Sequence, residues 1–174
     1  MGIYQYAAYG SNLHPDRLRK RVTSASLIGT GLLPGYGLRF HKRSNKDGSG
    51  KCNIVTGGSG VHIAVFELAE SDRSRLDQCE GLGNGYDRHT IEVDRFGACS
   101  TYIATARFID DALTPMDWYK AYVLRGARFH GFPIEYISVL ESQMAIADPD
   151  QSRARREWQS IEKLGTSKHR RQAL

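Results

Sequence analysis

The chain has 174 residues, of which 40% are hydrophobic and 25% charged, and a formal net charge of +5. That length and apolar share argue for one domain with a sizeable core, placed at 1–150, and nothing in the composition demands a second. The positive balance is local: seven of the 24 Lys and Arg (Arg153, Arg155, Arg156, Lys163, Lys168, Arg170, Arg171) but two of the 19 acids (Glu157, Glu162) fall in 151–174, so the body is electrically balanced and the excess belongs to a basic C-terminal helical extension.

Ile3, Tyr6, Ala8 and Tyr9 mark a short strand that runs into Tyr9-Gly10-Ser11-Asn12-Leu13, and a helix is predicted over 14–22. Asn12 suits its N-cap and Pro15 its first turn. Gly10 lets the backbone turn without a Cβ penalty, and the unpaired N–H groups and positive dipole end of the helix form a receptor for a carboxylate or a developing oxyanion. The plainer reading, an ordinary strand-turn-helix junction, accounts for the pentapeptide alone equally well.

Residues 25–41 read as two short strands around Pro34-Gly35, and 42–51 as a polar, glycine-punctuated loop. Gly48-Ser49-Gly50-Lys51 within it is no phosphate loop, because Cys52 follows where Ser or Thr is required and Asn45 stands where the first Gly belongs. The clearest strand is 61–68. Ser71 is expected to cap a short helix over 72–79, with Leu76 and Cys79 on one apolar face, which makes Cys79 a buried structural thiol rather than a nucleophile. Glu80 and the glycines of 81–85 come next. This G-x-G-x-G string follows a helix and precedes a strand, the reverse of a dinucleotide fingerprint, so its glycines end the helix. Strands are predicted over 86–93 and 101–108 around a turn at 94–97. From Pro115 the pattern is helical, with Trp118, Tyr122 and Leu124 near one face, a break at Gly131-Phe132-Pro133, a second run over 134–147, and a tail helix over 151–164 that frays from Gly165 onward. Strands first and helices last argue for an α+β domain on a small, mostly antiparallel sheet or barrel.

Cys52, Cys79 and Cys99 make an odd count without paired spacing, which suits a reducing compartment and a cytoplasmic location. No basic n-region precedes an apolar core, and no apolar run approaches the roughly 18 residues of a membrane span. The six histidines show no metal-binding spacing, so no metal is expected.

Tyr9-Gly10-Ser11-Asn12-Leu13, Leu76-Asp77-Gln78-Cys79-Glu80-Gly81 with Tyr86, Tyr119-Lys120, Gly126-Ala127 and Gly131-Phe132-Pro133-Ile134-Glu135-Tyr136 form a set. On these residues the chain resembles the gamma-glutamylcyclotransferase family, in register over 6–150. The resemblance implies a small mixed β-barrel flanked by helices, with no metal or cofactor, that converts a gamma-glutamyl amine to 5-oxoproline and the free amine. It implies Glu80 as catalytic acid/base, Tyr9, Gly10, Ser11, Asn12 and Leu13 as the pocket for the glutamyl head, and Tyr86, Tyr102 and Tyr119 as tyrosines lining the site. The chain departs from the animal enzymes at Cys79, where they carry a polar residue, and in its 42–51 loop, which bears on the leaving amine.

The chemistry agrees with these residue types. A gamma-glutamyl substrate carries its own nucleophile, so the protein needs neither Ser11 nor Cys79 to attack. It needs a fold-back conformer, for which orientation supplies about 7–11 kcal/mol in the best cases, and one carboxyl to move protons, for a factor of about 10² to 10⁴. The negative C-terminal end of the 72–79 helix raises the proton affinity of Glu80. A solvated Glu at a helix end is the plainer reading of Glu80, and core or rim packing that of the tyrosines. The second reading of the whole chain is a binding module that docks nucleic acid or another acidic partner through Arg153 to Arg171, although no RNA-reading motif is present and only Trp158 interleaves that segment.

Overall fold

Strand β5 (Val61–Ala69) carries the core, with Val61, Ile63, Ala64, Val65, Phe66 and Leu68 all buried. An almost unbroken apolar run of this kind is stable only when both faces are covered. The computed structural model describes residues 2–165, so the fraying expected beyond Gly165 lies outside the described residues.

β5 pairs antiparallel with β1 (Ile3–Ala8) on one side and β2 (Ser26–Leu33) on the other. β1 also lies parallel to β7 (Gly97–Ala104), which forms a regular antiparallel hairpin with β6 (Tyr86–Val93). The resulting five-stranded sheet has the order β2-β5-β1-β7-β6, and β3 (Tyr36–Arg43) and β4 (Gly50–Thr56) make a separate two-stranded ribbon. The expectation of a mostly antiparallel α+β fold therefore holds in its coarse form, but the described strands do not close into a barrel. The ribbon meets the sheet through a side chain in place of a ladder: Asn53 Oδ1 of β4 accepts the Ala104 N–H of β7 at 2.8 Å. An isolated bridge between Lys42 and Ile109 adds a second tie.

The helices are α1 (Pro15–Arg21), α2 (Arg73–Glu80), α3 (Asp117–Phe129), α4 (Ile134–Ser142) and α5 (Gln151–Glu162). Several differ from expectation in informative ways. His14, not Asn12, caps α1, its Nδ1 accepting the Asp16 N–H at 3.2 Å, while Pro15 occupies the first turn as expected. Ser71 caps nothing; it lies in a 3-10 turn, Glu70–Asp72, ahead of α2. Glu80 is the last residue of α2, and Gly81 caps it at φ 71°, a left-handed conformation that favours glycine. Cys79 is exposed, because so short a helix buries only the narrow face centred on Leu76. β7 begins directly after the 94–97 turn, in one-to-one register with β6, and 106–108 tighten into a 3-10 turn where strand was expected.

α5 is part of the packed structure. Tyr122 of α3 bonds Glu157, Ile161 and Leu164 are buried, and Arg125 Nη2 donates to the Leu164 carbonyl at 2.8 Å. The chain at Gly165 is tied to the start of α1, where its N–H donates to Asp16 Oδ2 at 3.2 Å and its carbonyl lies 2.9 Å from His14 Nε2. Among the described residues no helix is long and apolar enough to cross a membrane.

Candidate active site

The loop at the end of β1, the last residue of α2, β4, the start of β6, β7 and α3 converge on a small polar cavity of 30 Å³. Its lining includes Tyr9, Gly10, Ser11 and Asn12 from the loop together with Glu80, Tyr86, Tyr102 and Tyr119. Of the residues expected at a site, Leu13 alone is absent from the lining. Its side chain is fully buried, and its Cβ lies where a Cβ on Gly126 of α3 would come within 2.4 Å, so it anchors the loop to the helix. Tyr6 and Cys52 also line the cavity and were not expected there.

Glu80 is the only acid in the lining. Its side chain is 17% exposed, Asn12 Nδ2 donates to its Oε1 at 2.5 Å, and Arg21 Nη1 stands 3.6 Å away. Burial raises its proton affinity above the ordinary carboxylate value, and Arg21 and the Asn12 amide pull in the opposite direction. Sequence reasoning expected a raised value from the end of the helix; desolvation is the larger cause. The Asn12 side chain is aimed by its second contact, to Tyr6 Oη at 3.3 Å, and its own Oδ1 is buried with no partner among the described residues. A buried acceptor left open beside a carboxylate calls for a donor on a ligand.

Gly10 is needed for close approach, not for a turn. Its φ is not positive, but a Cβ there would sit 2.9 Å from Cys52 Cβ. The N–H groups of Gly10, Ser11 and Asn12 have no acceptor among the described residues, whereas the Leu13 N–H closes back on the Gly10 carbonyl at 3.1 Å. Three consecutive amides without an acceptor are available to an anion.

The tyrosines are mostly structural in their hydroxyls. Tyr86 donates to the Cys52 carbonyl at 2.5 Å, and Tyr119 accepts the Cys52 N–H at 3.1 Å, so both fix β4 as the far wall. Tyr9 donates to the Tyr102 carbonyl, and Tyr102 donates to Asp77 Oδ1 at 2.7 Å, tying α2 to β7. Burial pushes the acidity of all four phenols far down, and it pushes the Cys52 thiol up to about 12, so none supplies an anion near neutral pH.

The cavity holds little more than one water-sized group. It shares Ser11, Glu80, Tyr86 and Tyr119 with an outer cleft of 310 Å³, which has room for the rest of a larger ligand. Arg17, Arg21, Lys42 and Lys51 line that cleft, and α5 contributes Arg153 and Glu157. Three larger grooves lie elsewhere, one of them, of 390 Å³, between His41 and Pro115 with only the exposed Asp111 as an acid. Another, of 450 Å³, crosses the outer sheet face, where Arg73 and Arg88 are already paired with Glu70 and Asp77; the third, of 460 Å³, lies between β3 and α4 and is mainly apolar. None of the three brings a buried carboxyl to an open backbone, so chemistry selects the smaller cavity over volume. Among the described residues, no group of three His, Cys, Asp or Glu could hold a metal.

Residues 60–140 match the model of the AIG2-like family. A Mus musculus gamma-glutamylcyclotransferase is 29% identical over 177 residues, covering 95% of this chain and 90% of its own. The Homo sapiens gamma-glutamylcyclotransferase is 28% identical over 150 residues, covering 80% and 78% respectively. A solved structure described as a gamma-glutamyl cyclotransferase shares the fold, with a TM-score of 0.79 at 24% identity over 93% of this chain and 99% of its own.

Proposed function

Because the chain belongs to the AIG2-like, gamma-glutamylcyclotransferase family, we propose that it is an enzyme that cyclises a gamma-glutamyl amine to 5-oxoproline and releases the free amine. The observation that carries the reading is the meeting of a largely buried Glu80, its proton affinity raised by that burial, with the open amides of Gly10, Ser11 and Asn12 in one cavity.

In this reading the three amides hold the glutamyl α-carboxylate, and Asn12 Oδ1 accepts a hydrogen bond from the α-ammonium, bringing it beside Glu80. Glu80 takes one proton from that ammonium. The freed amine forms a bond to the γ-glutamyl carbonyl carbon, whose π electrons move to oxygen. The carbonyl then re-forms and the bond to the leaving amine breaks as Glu80 returns the proton to the departing nitrogen; the regenerated carboxylate takes the second proton from the cyclised nitrogen and passes it to the released amine, which departs as an ammonium. A raised proton affinity suits both halves of this cycle, since an ordinary Glu at about 4.3 is a poor match for an amine near 7.7–8.0. Tyr86, Tyr102 and Tyr119 act as walls that keep the substrate folded back on itself, in which form its own amine is at high effective concentration.

The test is Glu80→Gln with a panel of gamma-glutamyl amines, assayed for 5-oxoproline. Release by the wild type and its loss in a variant with an unchanged circular dichroism spectrum is the expected result. Full turnover by the folded variant, or none by the wild type across the panel, overturns the reading. The competing idea of a nucleic-acid dock is weakened by Arg153, which is held at 2.6 and 2.5 Å by Asp148; Lys168, Arg170 and Arg171 lie outside the described residues.

A further inference from the structure

Apart from the exposed Lys46, two cations of the outer cleft, Lys42 and Arg17, have no ion-pair partner within 4 Å among the described residues. Lys42 is 6% exposed, and its ammonium lies 4.7 Å from the Tyr86 ring centroid and 5.7 Å from that of Phe108, with no hydrogen bond or ion pair among the described residues. Arg17 lies flat over Tyr122, 3.3 Å from its centroid, with a buried Nε that has no partner among the described residues. The neighbouring cations are engaged: Lys51 with Asp47 at 3.0 Å, Arg153 with Asp148, and Arg21 facing Glu80 at 3.6 Å.

Burying an unpaired charge is costly, and burial here lowers the proton affinity of the Lys42 ammonium and brings the Arg17 guanidinium down to about 10. An anionic ligand removes that cost. In the cyclase reading the open amides of residues 10–12 serve the glutamyl carboxylate, which leaves Lys42 and Arg17 surplus to that half of the substrate. They rest on rings from different elements, β6 and α3, and so mark two anion positions.

We propose that the outer cleft is a subsite for a leaving amine that carries two carboxylates, with Lys42 and Arg17 each receiving one. The assignment rests on the cyclase reading above and specifies its substrate as a gamma-glutamyl derivative of a dicarboxylic amino acid.

The experiment compares gamma-glutamyl-glutamate with its near-isostere gamma-glutamyl-glutamine at low salt. Turnover is read as kcat/KM for 5-oxoproline release, and binding by calorimetry on the Glu80→Gln variant. A preference of about tenfold or more for the diacid is expected in both measurements, falling to within about twofold in Lys42→Gln and partly kept in Lys42→Arg. Equal handling of the two compounds overturns the subsite. So does a Lys42→Gln effect of the same size on both, which would make Lys42 only a counter-charge to Glu80. A charge preference in binding that depends on Lys42, without turnover of either compound by the wild type, leaves the subsite standing and removes the cyclase reading.

Discussion

Asn12 and Glu80 lie 68 positions apart and meet at 2.5 Å between Nδ2 and Oε1. The contact joins the loop after β1 to the end of α2, so one amide both holds the carboxyl in place and, with Arg21, offsets part of the rise in proton affinity that burial causes. Donation to the charged form favours it, so this bond lowers the Glu80 proton affinity that burial raises.

Asn12→Ala is therefore expected to move the acid limb of the kcat/KM profile to higher pH, because Glu80 loses a group that stabilises its anion. The rate at the optimum is expected to fall about 10- to 100-fold, the scale of a hydrogen bond to a charged group at about 1.5–3 kcal/mol. A pH–rate profile of the variant checks both; an unmoved acid limb would show that the amide does not tune the carboxyl.

Gly126→Ala tests the seat of the loop. The added Cβ would stand 2.4 Å from Leu13 Cβ and 3.0 Å from the His14 backbone nitrogen, neither of which is the end of a flexible side chain. Overpacking of this kind costs about 1–3 kcal/mol. The expected result is a lower urea midpoint together with a loss of turnover larger than the stability change explains, since the shift is passed to the open amides of residues 10–12.

What the sequence discloses about this site divides along physical lines. Local signals were readable: the apolar run of β5, the glycine that ends α2, and a loop rich in backbone donors at residues 9–13. Non-local ones were not. The parallel pairing of β1 with β7 has no local trace, and neither does the choice between a ladder and the Asn53 side chain in joining ribbon to sheet, which left the barrel open. Asn12 looked like a cap because caps and buried amides share a residue type; His14 took that role and freed Asn12 for Glu80. Arg17 and Lys42 were hidden for a related reason. On a charged helix or a polar hairpin, nothing in the spacing tells which cation turns inward, and here the rings of Tyr122 and Tyr86 decide it.

Asp148 offers a test of α5 as a wall of the cleft. It accepts Trp118 Nε1–H at 2.8 Å and holds Arg153 through both oxygens, and these donors keep its carboxyl well below the ordinary range. A depressed folded value means that the stabilisation is complete above the unfolded value of about 3.9 and is lost as pH falls toward the folded one. Asp148→Asn is expected to lower the melting temperature at pH 7, with the gap to the wild type closing below about pH 3. Thermal melts of both proteins across pH 2–7 measure it.

Glu80 has the opposite sign. With its folded value raised, the native protein binds the proton more tightly than the unfolded chain does, so its contribution is fully present below about 4.3 and declines as pH climbs through the folded value. The carboxyl that suits proton transfer is thus a burden on the fold at neutral pH. Glu80→Gln keeps the shape and the neutral state, so it is expected to melt at or above the wild type at pH 8. The difference should shrink toward zero below pH 4, where both proteins carry an uncharged group at this position. A variant that is inactive and yet no less stable at pH 8 would identify Glu80 as kept for chemistry. A variant clearly less stable at pH 8 would instead mean that Arg21, at 3.6 Å, and Asn12 outweigh the desolvation, and that Glu80 is a structural ion-pair partner.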